Sequence, residues 1–232
     1  EMYALPWAEI HYKEELGQFY RDFPRDTVTC PGFYKTPPVT KGNPTEIGQY
    51  VDEWGCVFTN YQRGVIGEVK DPIVRGDEWE DADNVRFPTE LLTLDVDKVN
   101  EFCRNTDKYV TAGYCPRPFE QLQFIRSTEQ LYIDLLTRPR KLMEFLEKLH
   151  AFYCELLTQW AQTDVSGLFI MDDWGSQHSL LINPSIWKEL FRPMYRDYIE
   201  IAHKHGKKIK MHSDGYILDI IPELIGLGLD TV

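Results

Sequence analysis

The spacing of hydrophobic positions changes along the chain, and the change divides it. Across residues 140–161, Leu142, Phe145, Leu146, Leu149, Phe152, Tyr153, Leu156, Leu157 and Trp160 recur at three- and four-residue intervals. That spacing is the broad apolar stripe of an amphipathic helix, with Pro139 marking its start. Ahead of it, FEQLQFIRSTEQLYIDLLT (119–137) places Leu122, Ile125, Leu131 and Leu135 at roughly helical spacing as well. Shorter apolar runs alternate with these stretches: KYVTAGY (108–114), VSGLFIM (165–171) and KIKMH (208–212) read as strands, the second one buried. Asn183 and Pro184 predict the cap and first turn of a helix that closes at Gly206, with Pro193 as its kink point. ILDIIPELIGLG (217–228) predicts a short helix, and LDTV the start of a further strand.

The alternation from Val110 onward predicts β-α-β units and a parallel sheet. Residues 1–88 have another texture. Phrases such as CPGFYKTPPVTKGNPTE break long helices, so loops and short strands are expected there. YVDEWGCVF (50–58) and GVIGEVKDP (64–72) read as two β segments, with Gly64 and Gly67 as turn or bulge points. The expected arrangement is one structural domain, in which a loop-rich region (1–88) packs on the parallel part (89–232).

Composition narrows the function more than the fold. With 43% hydrophobic residues in 232, the chain can bury a sizeable core. No apolar run approaches a bilayer span and no signal-type start is visible, which predicts a cytoplasmic protein with no membrane partner. The 37 acidic against 25 basic residues give a net charge of −12, a field that repels phosphate backbones, so nucleic acid is not an expected partner. Cys30, Cys56, Cys103, Cys115 and Cys154 are scattered without a C-x-x-C pair and are expected to be free thiols. The chain begins with Glu1 and ends where a strand is expected to begin, a pattern that suggests a longer parent sequence.

Chemistry concentrates where two strands end. VSGLFIM runs into DDWG and KIKMH into SDGY, and in parallel α/β folds the carboxyl ends of strands converge on one rim. Asp172, Asp173, His212 and Asp214 are therefore expected to share that rim. Successive strand residues face opposite ways, so one of the two aspartates should point into the mouth, and Asp173 is the choice. The i, i+2 spacing of His212 and Asp214 sends both side chains to one face, as two ligands of one ion require. Each residue also has a structural reading: Asp172 and Asp173 as turn caps, His212 as a hydrogen-bonded core group, Trp174 as packing. Gln177 and His178 read equally as polar lining or as plain loop. His203 and His205 complement a helix C-terminus.

The ordered run from GLFIMDDWG through KHGKKIKMHSDGY to GLGLDTV resembles the uroporphyrinogen decarboxylase superfamily. DEWGCVF and GVIGEVKDP resemble its branch of corrinoid-linked methyltransferases. The resemblance implies an α/β fold of the (β/α)8 TIM-barrel type with the active site in its carboxyl-terminal mouth. About four βα units can be counted after Val110, where a closed barrel needs about eight strands, so the barrel is expected to be incomplete in this chain. Decarboxylases of the superfamily carry an N-terminal arginine motif and a tyrosine early in the helix after the strand matched by YVTAGY. Here no such arginine motif is visible and Gln121 and Leu122 stand near the tyrosine's place, which leaves decarboxylation as the alternative reading.

The methyltransferase branch holds zinc with a His-x-Cys after the strand matched by KIKMH. His212 is present and Asp214 stands at the cysteine's position. Zinc accepts carboxylate oxygen, so His212 and Asp214 are the expected metal ligands, with Asp172, Asp173 or His178 as a third. The implied catalytic residues are Asp173, Asp172 and His212, and Trp174, Gln177 and His178 are the implied cofactor-facing ones. The implied partners are a small-molecule methyl donor or acceptor and a protein carrying methylcobalamin or another corrinoid. A catalytically silent small-molecule-binding barrel is the third reading.

Overall fold

The computed structural model describes residues 4–232; Glu1, Met2 and Tyr3, which open the predicted N-terminal region, lie outside the described residues. Among the described residues, strands β1 (Thr27–Thr29), β5 (Tyr109–Thr111), β6 (Gly167–Met171) and β7 (Lys208–His212) form a parallel sheet in that order. Strands β2 (Gly48–Val51), β3 (Val57–Asn60) and β4 (Glu68–Val69) form a separate antiparallel sheet. The parallel strands are neighbours in chain order, with Thr111 opposite Gly167 and Met171 opposite His212. Thr231 bridges Lys210 in parallel, so the LDTV segment continues the series on the far edge of β7. The sheet draws its first strand, β1, from before residue 88.

The N-terminal region differs from expectation in two respects. It opens with helices α1 (Pro6–His11) and α2 (Lys13–Asp22), where loops and short strands are predicted. These helices bury no residue, so no strong apolar stripe marks them in the sequence. YVDEWGCVF is a hairpin rather than one strand: Asp52 Oδ1 accepts the N–H groups of Trp54 (3.0 Å) and Cys56 (2.7 Å), and Gly55 supplies φ 87° at the turn.

Helix α3 (Val96–Arg104) precedes β5. The stretch read as continuously helical after β5 is two helices, α4 (Pro118–Arg126) and α5 (Thr128–Thr137), broken at Ser127 with φ 78°. The break brings Arg126 Nε within 2.6 Å of Asp134 Oδ2, and the same carboxylate accepts Trp79 Nε1–H at 2.7 Å. The N-terminal loops are thereby pinned to the parallel half. Helix α6 (Arg140–Ala161) returns to β6 and buries all nine residues of the predicted stripe.

From β6 to β7 the chain passes through α7 (Pro184–Ile186), a π-helical turn (Trp187–Phe191) and α8 (Arg192–Lys204). Asn183 caps this segment by accepting Ser185 N–H at 2.8 Å, and Gly206 (φ 69°) lies beyond its end, as the sequence predicts. The kink expected at Pro193 takes the form of the π turn just before it. Proline has no N–H to give the carbonyl four residues back, and the wider turn absorbs the mismatch, with Arg192 N–H bonding to Trp187 O. Helix α9 (Ile221–Leu227) ends at Gly228 with φ 86°. No helix among the described residues is long and apolar enough to cross a membrane.

Candidate functional site

Residues at the carboxyl ends of β5, β6 and β7 meet on one rim of the sheet. The register sets this directly: Met171 and His212 are partners, so the residues that follow them leave the sheet side by side. Asp172 N–H donates to His212 O at 3.2 Å, Asp214 N–H to Asp173 Oδ1 at 2.8 Å, and Trp174 N–H to Ser213 Oγ at 2.9 Å. The two exit loops are one knitted unit. It requires glycine at two places, since a Cβ on Gly175 would lie 2.4 Å from Tyr216 N and one on Gly215 (φ 76°) would lie 2.3 Å from Gly175 O.

Within that unit, His212 Nε2 lies 3.6 Å from Asp173 Oδ1 and 3.5 Å from Asp214 Oδ1. One ligand atom from each of the three falls within 4.8 Å of the others, close enough for a single ion to reach all three. All three side chains are open to solvent, which leaves room for a further ligand at the same point. The donor set, one imidazole and two carboxylates, suits a divalent cation such as zinc.

Asp172 is elsewhere. It is fully buried, and its carboxylate accepts Phe119 N–H (3.0 Å), Glu120 N–H (3.0 Å) and the Tyr195 hydroxyl (2.9 Å). Burial pushes its carboxyl well above the ordinary range, while the two amides and the hydroxyl pull the other way. Its place is under the first turn of α4, whose amides lack partners within the helix and are satisfied by it, rather than in the open mouth. Trp174 is also fully buried: its ring stacks on Phe119 with centroids 4.3 Å apart, and its Nε1–H donates to the Tyr195 hydroxyl at 2.8 Å. Gln177 and His178 are exposed at the loop tip, which is shaped by Ser176 and Ser179. They do not join the Asp173, His212 and Asp214 group.

Sequence reading passed over four side chains on this rim. Glu120, lifted by Asp172 to the start of α4, faces the three-residue group. Burial raises its carboxyl, Asp173 and Asp214 raise it further, and Arg117 and His212 act in the opposite sense. Glu120 Oε2 is sealed from solvent and has no hydrogen-bond partner among the described residues; Arg117 Nη1 approaches it only to 4.0 Å. Farther along the rim, Tyr114 donates its hydroxyl to Glu53 Oε1 at 2.6 Å. There Glu53 and Tyr114 help to line a cavity of about 380 Å³ above the ends of β1 and β5. The P-R-P-F-E sequence after β5 carries the one visible hint, charged residues around a proline-started helix at a strand's carboxyl end. Glu53 sits in a distant hairpin and gives no local sign.

No protein-family model and no curated protein sequence matches this chain. Among solved structures, the fold is similar to that of a methyltransferase from Methanosarcina mazei, with a TM-score of 0.55 at 13% identity. The likeness covers 76% of this chain and 51% of that one, so the chain spans about half the length of the protein it matches. At that identity the likeness is one of fold. It places a mixed α/β architecture with a parallel sheet on firm ground.

Proposed function

We propose that the protein is a methyltransferase of the corrinoid-linked type, with its parallel strands belonging to a (β/α)8 barrel. It would move a methyl group between a methylated cobamide on a carrier protein and a small-molecule donor or acceptor. The observation that carries this reading is the convergence of Asp173, His212 and Asp214 at the strand ends, within 4.8 Å of one another. The methyltransferase name of the fold neighbour and the position of the cavity on the same rim support it.

In this reading Asp173, His212 and Asp214 hold zinc. Bound there, the metal would act as a Lewis acid and favour an acceptor thiol as thiolate. The remaining roles belong to the chain. Asp173 is held by the Asp214 amide, which fixes its orientation before any ligand arrives. Asp172 has a bracing role: it ties the start of α4 to the end of β6 and so carries Glu120 to the rim. Glu120, coupled electrostatically to Asp173, His212 and Asp214, would take or return a proton beside the bound substrate. Solvent-open His212 and Asp214 face the side from which a carrier protein must approach.

Metal analysis of the purified full-length protein, paired with the absorbance change of methylcobalamin in the presence of a thiol acceptor, tests the reading. About one zinc per chain and demethylation of the corrinoid are expected, both lost in His212→Ala. His205→Ala should change neither, because its Nδ1 is engaged with Ile201 O at the end of α8. Full transfer by a metal-free His212→Ala protein would remove this site from the mechanism.

A further inference from the structure

The cavity of about 380 Å³ above β1 and β5 is separate from the three-residue group and has its own chemistry. Tyr34, Pro38, Leu91 and Gly113 give it apolar and aromatic walls, and Glu53 is the one charged residue in its lining. No lysine, arginine or histidine lines it among the described residues. One Glu53 oxygen receives the Tyr114 hydroxyl, which itself accepts Trp54 Nε1–H at 3.2 Å, so the carboxylate is oriented and its second oxygen remains available. The nearby Arg86 is committed elsewhere, to Glu90 and to the backbone carbonyl of Glu53. The Tyr34 hydroxyl is sealed from solvent beside Trp160, so Tyr34 offers the cavity its ring rather than its hydroxyl.

We propose that this cavity binds a small organic cation, an ammonium-bearing molecule about the size of choline, with Glu53 as counter-charge and Tyr34 and Tyr114 as aromatic walls. A carboxylate in a cavity that two tyrosines help to line matches such a cation twice, through charge and through aromatic contact. The volume lies within the range of ordinary small-molecule sites. An anionic ligand would meet an oriented carboxylate with no basic partner in the lining. Burial and Glu53 both push the Tyr34 hydroxyl upward, so it stays protonated, while the Trp160 side chain acts in the opposite sense. The proposal goes beyond methyl transfer and does not depend on it.

Calorimetric titration of the full chain with choline chloride, against its neutral isostere 3,3-dimethyl-1-butanol, reads the proposal without metal or turnover. Choline should bind at least about tenfold more tightly than the isostere. Glu53→Gln, which keeps an oxygen for the Tyr114 hydroxyl, should weaken choline about tenfold or more with the thermal midpoint preserved. Thr40→Trp, which fills the exposed mouth, should abolish binding with Glu53 intact. Equal binding of choline and the isostere, no choline binding by the folded wild type, or undiminished binding by either variant would overturn it. A protein that binds choline but neither holds zinc nor demethylates the corrinoid would defeat the transfer reading alone.

Discussion

Asp172 and Asp173, adjacent in the chain, aim their carboxylates at different elements: Asp172 at the first turn of α4, Asp173 at the amide of Asp214 beyond β7. Consecutive residues leaving a strand face opposite ways, and here the two sides are a packed helix and an open rim. The adjacent aspartates thus acquire unlike surroundings, one under a packed helix and one on the open rim.

Alanine at each position should tell the two apart. Asp172→Ala leaves the buried amides of Phe119 and Glu120 and the Tyr195 hydroxyl without their acceptor, and a loss of about 2–4 kcal/mol is expected in urea unfolding. Asp173→Ala removes a partly exposed group and should cost under about 1 kcal/mol, while lowering zinc affinity. A stable Asp172→Ala protein beside a badly destabilised Asp173→Ala protein would reverse the assignment.

Gly215→Ala tests the knitted loops. The added methyl would lie 2.3 Å from Gly175 O, at a backbone φ of 76° that alanine adopts poorly, so the loop must shift. The cost should be about 1–3 kcal/mol, and zinc binding should weaken because Asp214 moves relative to Asp173. Gly226→Ala is the control, since a Cβ there meets nothing within 4 Å. Unchanged zinc binding in Gly215→Ala would show that the group does not depend on this loop geometry.

The parallel half of the fold was legible because buried strands and amphipathic helices leave period and length in the sequence. Residues 208–212 and the nine stripe residues of α6 are where the pattern puts them. The breaks were less visible. Ser127 interrupts a helical spacing that continues on both sides, and its break is stabilised by Arg126 and Asp134, a contact that periodicity does not encode. At the rim, strand-end reasoning located Asp173, His212 and Asp214 through register and alternation. It could not tell that Asp172 would be consumed by a helix N-terminus, because that needs the position of α4. Glu53 and Tyr114 meet across 61 residues, beyond the reach of local patterns.

The Arg126 and Asp134 pair, each about 2% exposed, should be among the most sensitive structural positions away from the rim. Asp134 also receives Trp79 Nε1–H, and Arg126 Nη1 donates to Val74 O at 3.3 Å, so the pair joins two distant segments. Asp134→Ala strands a buried guanidinium and should cost about 3–5 kcal/mol. Arg126→Met with Asp134→Leu removes both charges and should recover part of that loss. Equal destabilisation by the single and the double variant in chemical denaturation would argue that the Trp79 contact, rather than the uncompensated charge, dominates.

Asp52, at the β2–β3 turn, should make stability fall as pH rises through the weakly acidic range. Burial pushes its carboxyl up to about 7 from an ordinary 3.8, Glu53 adds to the rise, and the amides of Cys56, Trp54 and Gly55 oppose it. Below about pH 4 folded and unfolded chains both hold the proton. Between about pH 4 and about pH 7 the unfolded chain releases it while the folded chain keeps it, so ionisation favours unfolding; above about pH 7 the effect is constant. The slope attributable to this group is at most about 1.4 kcal/mol per pH unit. Asp230 does not confuse the window: although burial raises it, Lys208, His203 and the Ile209 amide hold it at about 2. Asp52→Asn keeps an oxygen for the Trp54 and Cys56 amides and removes the titration. Urea midpoints at pH 4, 5.5, 7 and 8.5 should therefore converge for the two proteins at the acid end and favour the asparagine variant at the alkaline end. Parallel curves for the two proteins across that range would show that Asp52 titrates at its ordinary value and carries none of the pH dependence.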